Sequence, residues 1–380
     1  MRSSSCHISA WALLLLVVSI HSAQIPRIRT PLSEVENSSN PVLEVVESVE
    51  KPDTNFTGVF HSEYSVHFEA DPEMNLKDEE LYLSWEEAWP STGRRVDKFI
   101  RLHREDLTLN IIREEVKPIH ERVLSQNTQS KHRGKRKIFF RDNRFYIPLR
   151  IFGHRFPFVS VVKLSTGCTG TLVSPQHVLT AAHCIHDQSD YVAGYSKLKV
   201  GLLPDLRLSK KFQWIRVNET FLPNGWLMGN ANVASRFDYA LLKLEEAHRK
   251  PFFELAVSEG KTRAVIHFTA YEDDKPVNTL WYRSCRVQVT DEHVLYHYCA
   301  AKPGSSGAGV YTWSKVKGEW NRRLIGVFSG YRWKTFKEWW KRDADFNAAI
   351  RFNTLKYTQI CGWMGDYASR SCKQLKTQET

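Results

Sequence analysis

The chain has no second long hydrophobic run. Only Ile8 to Ile20, centred on Leu13-Leu14-Leu15-Leu16, is continuously apolar, and those 13 residues are too few to span a bilayer comfortably. A protein with several membrane spans is therefore excluded. Cys-x-x-Cys pairs are missing as well, which sets aside the common structural zinc modules, including a site built from His183, Cys184 and His186. No internal repeat is evident, so the chain is not a repeat array.

What is present suits a globular product. Across 380 residues, 42% are hydrophobic and 12% aromatic, enough for a substantial core. The net charge of +11 is unevenly spread: residues 1–136 carry 17 basic and 21 acidic side chains, and residues 137–380 carry 36 and 21. An acidic front followed by a basic back predicts two units that attract each other.

Arg2, the Ile8–Ile20 run and the small residues Ser22 and Ala23 together form the pattern of a cleavable signal peptide over residues 1–23. The mature protein is therefore expected to be secreted and extracellular, without a transmembrane segment. Of the seven cysteines, Cys6 lies within that signal. Cys168, Cys184, Cys285, Cys299, Cys361 and Cys372 remain, an even number that points to disulfides in an oxidising compartment. Their spacing suggests the pairs 168–184, 285–299 and 361–372, although sequence alone leaves the connectivity open. Sequons at Asn37, Asn55 and Asn218 predict a glycoprotein.

Residues 24–136 are polar and acid-rich, with helix-like stretches such as Lys98–Ile119, and read as a propeptide. They end in the basic run from Lys131 to Arg136. Arg133-x-Lys135-Arg136 would fit the carboxylate-lined pocket of a proprotein convertase, with cleavage after Arg136. The competing reading is a solvated charge run or a site for a heparin-like polyanion. From 137 onward, short apolar runs recur between turn residues, among them Val161–Leu164, His177–Ala181, Tyr239–Leu244 and Leu324–Phe328. That pattern predicts an all-β sandwich or barrel domain over 137–380, with one helix at Leu355–Met364.

Acyl transfer needs a nucleophile, a base, a group that orients the base, and donors for the oxyanion. Thr180-Ala181-Ala182-His183-Cys184 offers the base. Asp238, opening the apolar strand Asp238-Tyr239-Ala240-Leu241-Leu242, offers the orienting carboxylate; Asp190 and Asp205 are alternatives that precede no such strand. Gly304-Ser305-Ser306-Gly307-Ala308-Gly309 offers the nucleophile, with Ser305 as a rival to Ser306. The flanking glycines permit the sharp turn that exposes a hydroxyl and gathers backbone N–H groups.

These strings, in the order His, Asp, Ser, resemble the motifs of the chymotrypsin-like serine proteases. Ser165–Val173, Ser174–Leu179, Phe212–Val217, Ile266-His267-Phe268 and Leu355–Cys361 are further similar to the serine protease 23 / serine protease 35 group, and Tyr82–Glu86 to a propeptide motif of that group. The resemblance implies a double six-stranded β-barrel with a C-terminal helix and a His183–Asp238–Ser306 triad. It also implies an oxyanion hole from the Gly304 and Ser306 amides, and no cofactor or metal.

Two departures from the trypsin pattern stand out. Ser305 takes the place of the aspartate that pairs with the new amino terminus after activation, and Lys302 the place of a cysteine. Ala300 occupies the base of the specificity pocket without a carboxylate, and Ser329 and Gly330 fall at the strand that pairs with extended substrate. The chain therefore reads as a secreted serine endopeptidase acting on a protein or peptide. The alternative is a secreted pseudoprotease, a binding module with little turnover. The basic-aromatic strip Tyr331–Arg342 reads as a loop beside the cleft, with no nucleic acid as partner.

Overall fold

The computed structural model describes residues 76–103, 108–117, 138–139, 141–204, 211–316, 318–336, 342–365 and 372. The expected signal peptide, the sequons at Asn37 and Asn55, and the site after Arg136 lie outside them.

Two six-stranded antiparallel barrels carry the fold. The first is built from β5 (Val161–Leu164), β6 (Thr169–Leu172), β7 (His177–Thr180), β8 (Lys199–Leu202), β9 (Gln213–Pro223) and β10 (Ala240–Leu244), and it closes where β10 pairs with β9. The second uses β12 (Val265–Ala270), β13 (Leu280–Thr290), β14 (Val294–His297), β15 (Gly309–Val316), β16 (Glu319–Lys334) and β17 (Ala344–Arg351), closed by β16 on β17. Two short strands add to its rim: β4 (Phe145–Ile147) on β13 and β11 (Glu254–Leu255) parallel to β16.

Burial explains the short runs. Val162, Leu164, Leu172, Val178, Leu179, Leu241 and Leu242 are all fully buried in the first barrel, as are Ile266, Phe268, Val310 and Phe328 in the second. Each such side chain contributes about 1.5–3 kcal/mol when removed from water. The helix at the chain's end (Thr354–Met364) starts at Asn353, whose side chain accepts from the Lys356 amide. An N-cap of this kind satisfies an otherwise orphaned donor.

The helix expected over Lys98–Ile119 is corrected. The described residues of that stretch lie in antiparallel strands β2 (Arg95–His103) and β3 (Thr108–Lys117). Val96, Ile100 and Leu102 alternate inward in β2, so the two-residue period of a half-buried strand prevails over weak helical periodicity. A helix, α1 (Leu76–Leu83), and strand β1 (Trp85–Ala88) precede them. Strand β1 pairs with both β2 and β9, so the 76–117 segment extends the sheet of the first barrel. Trp85, Ala88, Ile100 and Leu102 belong to the same core as that barrel.

Candidate active site

Strand pairing brings the base and the carboxylate together. In the antiparallel register of β7 and β10, Thr180 faces Ala240. The residues just beyond Thr180 therefore meet those just before Ala240. The chain leaves β7 through a short 3-10 turn at Ala182–Cys184. There the His183 amide donates to Asp238 Oδ1 at 2.9 Å, and His183 Nδ1 lies 2.7 Å from Asp238 Oδ2. With two donors from one residue, the carboxylate fixes both backbone and ring.

Asp238 is almost fully buried. Burial alone would raise its pKa. The His183 charge and hydrogen bond, the Arg332 guanidinium and the Ser329 hydroxyl outweigh that effect and hold the carboxyl below the usual range. An ionised Asp238 accepts the proton on Nδ1, which leaves the Nε2 lone pair facing outward. Nε2 lies 2.7 Å from Ser306 Oγ. The hydroxyl can thus donate to a base held in the correct tautomer.

Ser306 comes from the second barrel but is held by the first. Thr169, at the start of β6, donates its amide to Ser306 O at 2.9 Å and its hydroxyl to Gly304 O at 2.8 Å. Two residues on, Thr171 Oγ1 accepts from Gly309 N at 2.8 Å. The Cys168–Cys184 disulfide ties this same strand to the histidine turn. The glycines are required by contact as well as conformation. Gly307 has φ +82°, and a Cβ there would sit 2.1 Å from Thr180 Oγ1 and 2.2 Å from Thr169 O. Gly304 has φ +95° and lies against the Tyr271 carbonyl.

Of the remaining sequence-singled residues, Ala300 is fully buried and its amide donates to Asn143 Oδ1 at 3.0 Å. Ser329 turns its hydroxyl to Asp238 Oδ2 at 2.5 Å, and its carbonyl lies 3.4 Å from Ser306 Oγ. Gly330 is paired with Ala348 in the β16–β17 ladder. Ser305, the rival nucleophile, is fully buried and donates to Lys302 O, away from the histidine. Asp190 lies in the 187–190 turn, where its side chain accepts from the Tyr191 amide, and Asp205 falls outside the described residues. The three disulfides join Cys168–Cys184, Cys285–Cys299 and Cys361–Cys372. The sulfurs next to His183 and His297 are therefore not thiolates available to a metal. Asn218 is exposed on β9.

Sequence reasoning missed Thr169, Arg332 and Glu272. Thr169 lies within the Ser165–Val173 string, but nothing in the sequence announces its contact with Ser306. A cleft of about 570 Å³ on the second barrel, lined by His267, Trp313 and Trp320 among others, shares no residue with the triad.

Known proteins similar to this chain give its family. The trypsin family model matches residues 150–330. Serine protease 23 from Bos taurus is 44% identical over 263 residues, covering 64% of this chain and 69% of its own length. Inactive serine protease 35 from Homo sapiens is 36% identical over 353 residues, covering 77% of this chain and 81% of its own. A solved Glu endopeptidase in complex with MPD aligns at TM-score 0.47 and 20% identity, over 59% of this chain and 97% of that one. Among the described residues, no helix is long and apolar enough to cross a membrane. The chain belongs to the trypsin-like serine protease family, in the group that includes serine protease 23 and inactive serine protease 35.

Proposed function

We propose that the protein is a secreted serine endopeptidase that hydrolyses peptide bonds through an acyl-enzyme. The observation that carries this reading is the continuous chain Asp238 Oδ2, His183 Nδ1, His183 Nε2, Ser306 Oγ, with 2.7 Å at each hydrogen bond. His183 removes the Ser306 proton as Oγ attacks the scissile carbonyl, and the Gly304 and Ser306 amides hold the oxyanion. His183 then returns the proton to the leaving amine, and water repeats the sequence to release the acid. Beyond Phe328, whose amide donates to Ala308 O just before β15 begins, β16 continues to Lys334 paired, among the described residues, with β17 alone. Its other edge, from Ser329 onward, suits an extended substrate. With Ala300 at the pocket base, selection of Lys or Arg by a carboxylate at that position is not expected.

In this reading residues 1–23 are a signal peptide and 24–136 a propeptide cleaved after Arg136 by a proprotein convertase. Asn218 carries glycan in the secreted product, and the basic back half offers a surface to a heparin-like polyanion.

A second reading is a pseudoprotease that keeps the fold without turnover, favoured by the relative whose name is inactive serine protease 35. Labelling of the secreted, cleaved protein by a fluorophosphonate, beside Ser306→Ala, separates the two. Labelling that disappears in the variant supports the enzyme. Absence of labelling in folded, cleaved wild type overturns it.

A further inference from the structure

The loop that carries Ser306 is braced by a buried ionic cluster, and the chain just after the cleavage site is part of that cluster. Glu272, in the loop after β12, is buried and bonds in four directions. Its Oε1 accepts from the Lys302 amide at 3.0 Å and from Arg283 Nη1 at 2.9 Å. Its Oε2 accepts from Arg283 Nη2 at 3.1 Å and from Arg144 Nη1 at 2.9 Å. Arg144 in turn forms paired bonds with Asp142 and Asp274, at 2.7 and 2.8 Å to each. Lys275 stands 3.5 Å from Asp142. Three carboxylates therefore balance three cations, which satisfies a carboxylate that would be costly to bury alone.

The same loop supports the backbone of the catalytic turn step by step. The Asp273 amide donates to Pro303 O at 2.8 Å. The Tyr271 amide donates to Thr169 Oγ1 at 3.1 Å, whose hydroxyl proton goes to Gly304 O. Gly304 lies so close to this loop that a Cβ would stand 3.0 Å from Glu272 Cα. Asn143, beside Arg144, accepts the Ala300 amide and donates to Ser284 O at 3.1 Å. Every residue from Lys302 to Gly304 is thus held by 271–273 or through Thr169.

The place where trypsin-like enzymes put an aspartate for the new amino terminus holds Ser305, a neutral hydroxyl already bonded to Lys302 O. Near the start of the segment that cleavage would free, the Phe139 ring packs on Tyr298 at 4.9 Å between centroids. We propose that Glu272, clamped by Arg144 and Arg283, replaces the amino-terminal ion pair, so that the oxyanion loop is catalytically formed before the chain is cut after Arg136. Glu272 and Arg144 are positioning residues that act through the Lys302–Ser306 backbone. The proposal rests on the endopeptidase reading, and the experiment separates the two.

Wild type, cleaved and uncut, is compared with an uncleavable Arg133→Ala/Lys135→Ala/Arg136→Ala variant by fluorophosphonate labelling rate. Hydrogen exchange of peptides covering 299–310 is followed on each. The expected result is labelling of the uncleavable chain within about threefold of the cleaved enzyme, with equal exchange protection. Arg144→Met and Glu272→Gln should slow labelling tenfold or more and raise exchange in 299–310 while circular dichroism stays native. Arg144→Lys should restore part of the rate. Labelling that appears only after cleavage, together with new protection of 299–310, overturns the proposal. If cleaved wild type does not label at all, the endopeptidase reading fails. Exchange then still decides: unchanged protection on cleavage supports the brace, and increased protection overturns it.

Discussion

The Arg332 guanidinium donates to Ser329 Oγ at 2.8 Å, and that hydroxyl donates to the outer oxygen of Asp238. A cation therefore stands one hydrogen bond behind the triad carboxylate, held also by the Ser235 carbonyl at 2.9 Å. The polar and charged groups around Asp238 are His183, Ser329 and Arg332. Removing Arg332 takes away a cation that favours the ionised Asp238 and the donor that orients the Ser329 hydroxyl. Arg332→Met is expected to lower kcat/KM about tenfold, and Arg332→Lys to keep most of it. An unchanged kcat/KM in the Met variant would show that Arg332 has only a packing role.

Asp238→Asn should be far more damaging than any change behind it. The amide cannot stabilise the imidazolium, and its N–H₂ favours the tautomer with the proton on Nε2, where it cannot accept from Ser306. A loss of about 10⁴ in kcat follows from the known behaviour of such triads. Ser329→Ala keeps the carboxylate and should cost about tenfold, in line with one hydrogen bond to a charged group. Steady-state assays of both variants on a common peptide substrate check the order, and equal losses would contradict it.

The triad was legible because its three motifs are local strings whose residue types follow from the chemistry. The barrel strands were legible for a similar reason, since Val161–Leu164 or Tyr239–Leu244 are apolar runs bounded by turns. The braces were not legible. Glu272 sits in Tyr271-Glu272-Asp273-Asp274, which reads as a solvated acidic turn; only the fold brings Arg144 and Arg283 to it from 128 and 11 residues away. Lys98–Ile119 misled because polar residues such as Arg101 and His103 fill outward positions of β2 and mask its two-residue alternation, and because β3 has none, its Ile112 and Val116 being exposed. The polar composition of 24–136 likewise concealed that Trp85 and Ile100 enter the main core.

That packing has a consequence for processing. All six disulfide cysteines lie between 168 and 372, so no bridge links the 76–117 segment to the barrels. Yet β1 pairs with β9, Trp85 meets Trp363 at 6.2 Å, and the Asn224 amide donates to Ser84 O at 2.7 Å. Buried Glu86 accepts from Tyr191 Oη and from Lys117 Nζ, each at 2.6 Å. If the chain is cut after Arg136, as proposed above, the front fragment should co-elute with the barrels on gel filtration and separate only in denaturant, without reductant. Trp85→Ala should lower stability by about 3–5 kcal/mol, read by urea unfolding of the uncut chain. Release of the fragment under native conditions would show that these contacts do not hold it.

Stability itself should depend on pH through Lys356. This side chain is 1% exposed, with Nζ 3.0 Å from His293 Nδ1 and 5.1 Å from the Phe237 ring. Burial pushes its pKa down to about 7, against the attraction of Glu292 and Asp291 and with the repulsion of Arg351 and Arg236. In the unfolded chain a lysine titrates near 10.4. Between about pH 7 and 10 the unfolded state therefore binds more protons than the native one, and stability rises with pH across that window. The slope from this one group is at most about 1.4 kcal/mol per pH unit. The buried phenols Tyr239 and Tyr271, whose pKa values burial raises, stay neutral in the folded protein and reverse the trend only as free tyrosines ionise near 10. Between pH 7 and 9 the wild type should gain up to about 2–3 kcal/mol in urea unfolding. Lys356→Met keeps the volume and removes the titration, so its stability should be nearly flat over the same range. A variant that keeps the wild-type slope would assign the dependence to another group.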